Sequence, residues 1–252
     1  FIKDNENPTL EIYLPYNMVE MQREKHKRPC LIVLPGGGYE FCSEREAEPI
    51  AMEFLPEGYN VFVLKYSVSP CKFPTQIREV GAAVELIYNN SEKWNCDTNK
   101  IAIMGFSAGG HLASMVLTRY DFEIDDPNYT KDAIDEVSAE PNASVLCYAV
   151  ITLSGDGAHS TTRKNFISDE SKYEYYSADK AVTSETAPTF LWCHQNDRVV
   201  NSSNTYQMAM ALENAGVDCE YYVYDDNGNT EHGVGAKEWP SLATSFLKNL
   251  KF

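Results

Sequence analysis

Short apolar runs alternate with amphipathic segments along most of this chain, and that alternation restricts its fold more than any other feature. Leu31 to Leu34, Val61 to Leu64, Ile101 to Met104, Val145 to Leu153 and Thr189 to Cys193 read as strands buried on both faces. Tyr221 to Tyr224 continues the series, and Leu10 to Leu14 reads as an edge strand. Between them, Ile77, Val80, Val84 and Ile87 recur at helical spacing, as do Trp239, Leu242, Phe246 and Leu250. Glu44 to Leu55, Ser107 to Arg119 and Asn204 to Ala215 predict three more helices, the last stopped by Gly216. Such a sequence predicts an α/β fold with a mostly parallel central sheet and helices on both faces. Ligands of such sheets sit beyond the carboxyl ends of the strands.

The chain has 252 residues, a length that one α/β domain can use, and a hydrophobic share of 43% is enough for a sizeable core. Two polar connections stand out, residues 120–144 and 154–188, both expected near the ligand site as lids or excursions. A formal charge of −16 argues against nucleic acid, whose phosphates need clustered Lys and Arg. The short basic run from Arg23 to Arg28 reads as a solvated loop. The acidic balance mildly favours neutral substrates. The 7 cysteines, odd in number and without CxxC spacing, form neither a disulfide framework nor a zinc site and fit a reducing cytoplasm. No secretory signal and no apolar stretch of about 18 residues is present. The expectation is a cytoplasmic protein with no membrane partner, no metal and no cofactor.

Gly105-Phe106-Ser107-Ala108-Gly109 fits G-x-S-x-G. The bare pattern is weak, but here it follows an apolar strand and opens a helix, as a nucleophile elbow requires. The turn lifts the serine oxygen into the crevice and aims a helix N-terminus at it. Pro35-Gly36-Gly37-Gly38-Tyr39 follows the Leu31–Leu34 strand. The amides of Gly37 and Gly38, with that of Ala108, can bind the charged oxygen of a tetrahedral intermediate. A nucleotide loop would need a Lys-Ser/Thr ending or another glycine spacing.

A serine nucleophile needs a base poised near neutrality. Of five histidines, His26 lies too early for the crevice, His111 sits one turn into the helix after Ser107, and His194 ends a strand. His159 lies in the long polar excursion and stays a candidate. His232 follows the last strand, in the loop from Asn227 to Gly235, where the order Ser, acid, His puts the base. Asp197, just past the Thr189–Cys193 strand, is the expected acid, with Asp225 and Asp226 as fallbacks. A calcium reading of Asp225 to Gly228 fails the ligand spacing.

Leu34 to Tyr39, Phe73 to Gln76, Ile101 to Ala113 and Trp192 to Asp197 together resemble the bacterial acetyl esterase/lipase branch of the α/β-hydrolases. That branch includes acetyl-xylan and feruloyl esterases and relatives labelled xylanase-like or sugar hydrolases. The likeness runs from about Pro29 to the C-terminus. It implies Ser107, Asp197 and His232 as a catalytic triad and Gly37, Gly38 and Ala108 as the oxyanion hole. Pro35 stands where hormone-sensitive-lipase relatives carry His, which argues against their helical cap. The expectation is one α/β-hydrolase domain without a large cap, its site open and covered only by the two long loops. It should cleave short-acyl esters, acetyl esters of sugars or xylo-oligosaccharides above all, with Tyr39 and Phe106 as pocket walls. The alternatives are an oligopeptidase-like serine peptidase and an inactive hydrolase-like binding protein.

Overall fold

The computed structural model describes residues 8–21, 25–120, 138–225, 232–233 and 236–252. Seven strands form one sheet: β1 (Thr9–Tyr13), β2 (Arg28–Leu34), β3 (Asn60–Lys65), β4 (Cys96–Phe106), β5 (Ala143–Cys147), β6 (Thr189–His194) and β7 (Cys219–Tyr224). Their spatial order is β1-β3-β2-β4-β5-β6-β7. β1 runs antiparallel to β3 at one edge, and every other pairing is parallel.

Residues of period two sort themselves onto the two faces. Ile32 and Leu34 of β2 and Ile101 and Ile103 of β4 face one core, which is closed by α2 (Thr75–Asn89), the short α3 (Ser91–Trp94), α4 (Ser107–Arg119) and α6 (Ser203–Ala215). Leu31, Val33, Ala102, Met104 and Phe106 face the other, closed by α1 (Glu48–Phe54) and α7 (Trp239–Asn249). The two expected helical stripes are buried where periodicity put them, through Val80, Val84 and Ile87 on α2 and through Trp239 and Phe246 on α7. Each such fully buried large side chain contributes about 1.5–3 kcal/mol by leaving water. Gly216 ends α6 with φ +74, and its N–H returns to the Leu212 and Glu213 carbonyls.

Three segments differ from expectation. The apolar run from Val145 to Leu153 is a strand only as far as Cys147, because Tyr148 takes φ +37 and turns the chain away from the ladder. The expected helix from Glu44 to Leu55 is a single 3-10 turn, Glu44–Glu46, followed by α1. The 154–188 connection is no loose excursion. It carries α5 (Ser160–Phe166) and inserts Phe166, Tyr176 and Ala178 into the first core. Of the other connection, residues 121–137 lie outside the described residues. Arg28 is buried at the start of β2 rather than in a solvated loop. Among the described residues no helix is long and apolar enough to cross a membrane, and no two cysteines are joined in a disulfide.

Where β4 passes into α4, backbone meets backbone. A Cβ at Gly105 would stand 2.2 Å from the Gly109 carbonyl oxygen, and one at Gly109 would stand 2.2 Å from the Leu34 carbonyl oxygen. Both positions therefore demand glycine. Gly109→Ala is expected to push α4 off β2 and lower the thermal unfolding midpoint by several degrees, since overpacking of this kind costs about 1–3 kcal/mol. An unchanged midpoint in differential scanning fluorimetry would show that the helix packs less closely than described.

Candidate active site

Residues that follow β2, β4 and β6 meet, together with His232, in one cleft of about 440 Å³, whose lining includes Gly37, Gly38, Ser107, His159, Val199 and His232. Ser107 is the first residue of α4 and holds φ +52, a left-handed conformation costing a non-glycine residue about 1–3 kcal/mol. Its carbonyl accepts the Val150 amide at 2.9 Å, which fastens the strained turn to the chain leaving β5. Ala108 follows in the first turn of the helix, where backbone N–H groups have no intrahelical acceptor.

The glycine loop after β2 is locked from outside. The Gly36 amide donates to Oε2 of Glu46 at 2.7 Å, and the Gly38 carbonyl accepts from Asn165 Nδ2 at 2.9 Å. Gly37 has φ +126, and a Cβ there would lie 2.0 Å from the Phe41 carbonyl oxygen. No hydrogen bond among the described residues engages the amides of Gly37 and Gly38. Both glycines line the cleft that Ser107 faces.

On the far side of the cleft, Asp197 sits in the turn after β6. Its Oδ1 accepts the amides of Val199 and Val200 at 2.8 and 3.0 Å. Its Oδ2 accepts from Nδ1 of His232 at 2.6 Å, with the Asp197 side chain fully buried. Burial pushes the carboxyl up, but the His232 hydrogen bond and charge and the two amides outweigh burial and hold it below the usual range. An ionised carboxylate can only accept, so Nδ1 of His232 carries the hydrogen, and in the neutral imidazole Nε2 presents a lone pair. Nε2 is buried with no partner among the described residues. This geometry fixes the orientation of the imidazole and leaves Nε2 without a partner among the described residues.

Three side chains without a motif of their own frame this arrangement. The Tyr148 ring meets the His232 imidazole edge-on at 4.5 Å. Arg45 donates to the His232 carbonyl at 2.9 Å. Glu46, only 3% exposed, accepts the Tyr148 hydroxyl at 2.8 Å. A fourth, Phe41, lines the cleft with 59% of its surface exposed. Their only sequence signal is closeness to the glycine loop or to the end of β5.

An elbow serine, a glycine loop and a carboxylate-bound histidine at the carboxyl ends of this sheet define an α/β-hydrolase. The chain belongs to the BD-FAE family, which it matches over residues 10–212. It is 33% identical to the Endo-1,4-beta-xylanase B of Butyrivibrio fibrisolvens, over 84% of this chain and 34% of that protein. It is 28% identical to an acetylxylan esterase of Xylanibacter ruminicola, over 87% of this chain and 44% of that one. The chain thus spans about a third to under half the length of these relatives. The crystal structure of an acetyl ester-xyloside bifunctional hydrolase from Caldicellulosiruptor lactoaceticus superposes with a TM-score of 0.86 at 34% identity, covering 99% of this chain and 90% of that one.

Two expected pocket walls lie elsewhere. Tyr39 and Phe106 are buried in the two cores, at 0% and 1% exposure, and neither lines the cleft. Phe106 shares the strand parity of Ala102 and Met104 and so points under the sheet toward α7. Tyr39, at φ +59, packs against Phe166 and Tyr66. Its hydroxyl donates to Nδ1 of His111 at 3.0 Å, and Nε2 of His111 donates to the Tyr176 carbonyl at 3.0 Å. His111 is therefore a packed core residue. His194 is buried between Trp192 and Tyr224, and His26 is exposed outside the cleft. His159 does reach the cleft, with Nδ1 against the Thr162 hydroxyl at 2.7 Å. Of the segment around the fallback acids, residues 226–231 lie outside the described residues, as does Gly235.

Burial pushes the His111 imidazole down to about 4, against the opposing pull of the Tyr176 carbonyl. The unfolded chain then binds the extra proton first, so stability falls as pH drops from about 6.5 toward 4. His111→Phe should make the unfolding free energy, measured by urea titration across that window, shallower in pH by close to one proton. An unchanged slope would mean that the imidazole is not held neutral.

Proposed function

We propose that this chain is a serine esterase that removes short acyl groups, acetyl above all, from sugars or xylo-oligosaccharides. The observation that carries the reading is the 2.6 Å bond from Asp197 to Nδ1 of His232, which leaves Nε2 free in the cleft that Ser107 lines. In this mechanism Nε2 takes the Ser107 hydroxyl proton as the oxygen attacks the ester carbonyl. The amides of Gly37, Gly38 and Ala108 donate to the oxyanion, and Asp197 stabilises the imidazolium without being protonated itself. His232 then passes its proton to the departing alcohol. A water, deprotonated by the same nitrogen, releases the acid from the acyl-enzyme.

The lining supports a polar alcohol. Glu40, Arg45, Glu46 and His159 face the cleft, and the exposed Phe41 ring offers a flat apolar surface of the kind on which a sugar ring stacks. The names of the relatives point the same way, being those of an acetylxylan esterase and an acetyl ester-xyloside hydrolase.

Ser107→Ala should lower p-nitrophenyl acetate turnover by at least about 10⁴-fold and abolish labelling by a fluorophosphonate probe. Turnover within tenfold of wild type would remove Ser107 from the mechanism. Phe41→Ala should raise KM for acetylated xylo-oligosaccharides by roughly 2- to 10-fold, the worth of one aromatic face, while KM for p-nitrophenyl acetate stays within about twofold. Equal effects on both substrates would count against a sugar at that wall.

A further inference from the structure

One buried carboxylate touches both halves of the site. Oε2 of Glu46 accepts the Gly36 amide at 2.7 Å, next to the two glycines that face Ser107. Oε1 accepts the Tyr148 hydroxyl at 2.8 Å. The ring of Tyr148 lies 4.5 Å from the His232 imidazole, and its backbone N–H is fastened to the Trp192 carbonyl at 2.6 Å. Beside Glu46, Nη2 of Arg45 lies 3.3 Å from Oε1 and also donates to the His232 carbonyl at 2.9 Å. A Cβ on Gly233, the residue after His232, would stand 2.3 Å from the Tyr148 ring, so the histidine loop rests directly on that ring.

We propose that Glu46 is a positioning residue for ester hydrolysis: its carboxylate sets the spacing between the glycine loop and His232 on either side of Ser107. The proposal rests on the esterase reading above. Burying a carboxylate is costly unless its oxygens are satisfied, and an apolar side chain would fill the same space at lower cost if packing were the only need. Here the two oxygens are divided between an oxyanion-side amide and a base-side hydroxyl. Burial first, and then the Glu46 charge, push the Tyr148 hydroxyl well above its usual range, so it stays protonated and keeps donating. Gly36 and Tyr148 are thereby held toward one carboxyl group from opposite sides. A displacement of about 1 Å in such a frame costs on the order of 10²-fold in rate, and the loss falls on the transition state more than on the bound ester.

The test compares Glu46→Gln, Tyr148→Phe and the double variant with wild type, using p-nitrophenyl acetate kinetics, fluorophosphonate labelling and thermal unfolding. Gln keeps the length but replaces one acceptor oxygen by a donor, so Gly36 and Tyr148 can no longer both be satisfied as before. Tyr148→Phe keeps the ring on His232 and removes only the hydroxyl. Glu46→Gln is expected to lower kcat by roughly 10- to 100-fold with KM within about twofold, and Tyr148→Phe by roughly 3- to 10-fold. The double variant should be no slower than Glu46→Gln alone, because both cut one connection. Wild-type kcat in Glu46→Gln, or multiplicative losses in the double variant, would overturn the proposal. So would a lower unfolding midpoint with kcat per labelled site unchanged, the signature of a merely structural role. If Glu46→Gln fails to fold, Tyr148→Phe decides: unchanged kcat refutes the link. Failure of the esterase reading has a different signature, since Ser107→Ala would then leave wild-type turnover intact.

Discussion

The contact between β4, α4 and the end of β2 is the reference from which the rest of the cleft is measured. Carbonyl oxygens of Leu34 and Gly109 approach where Cβ atoms would otherwise stand, so the helix that begins at Ser107 cannot slide along the sheet without a backbone clash. The left-handed serine is tolerable only because that contact and the Val150 amide hold it from two sides. With the turn at Ser107 rigid, the glycine loop leaves the neighbouring strand β2 within reach of it, and the position of each remaining part becomes a matter of loop anchoring.

That anchoring explains why the site is built on a sheet buried on both faces. The strands ending at Leu34, Phe106 and His194 are held from above and below by two separate cores. Their carboxyl ends therefore keep their spacing while the loops beyond them carry polar atoms. Asp197 illustrates the division of labour. The Val199 and Val200 amides take one of its oxygens, and the other is left for His232. A carboxylate so satisfied is held below its usual range and favours the tautomer in which Nδ1 of the imidazole carries the hydrogen.

What could be read from the sequence depended on the range of the signal. The elbow and the glycine loop are local patterns, in which spacing and context lie within a dozen residues, and the strands and helices around them follow from period two and period 3.6. His232 and Asp197 were accessible through chain order, because the ends of successive parallel strands line up in space. Glu46 was not. Glu44, Glu46 and Glu48 look alike as a sequence, and only the fold turns the middle one inward at 3% exposure. Tyr148 was hidden inside an apolar run whose second half leaves the sheet. Closeness to the glycine loop says nothing about the direction of Tyr39, which takes φ +59 and packs its ring in the first core. Strand alternation sets Phe106 on the same face as Met104, beneath the sheet.

The segment from residue 154 to 188 gives the cleft one wall, through His159 and Thr161, and gives the first core part of its filling, through Phe166, Tyr176 and Ala178. These two duties are coupled. A freely hanging lid could be exchanged with the domain beneath left indifferent. A wall rooted in the interior cannot, since replacing it wholesale would unseat the aromatic cluster it carries. The rim positions 159 and 161 can be substituted to reshape the cleft while Phe166, Tyr176 and Ala178 stay packed.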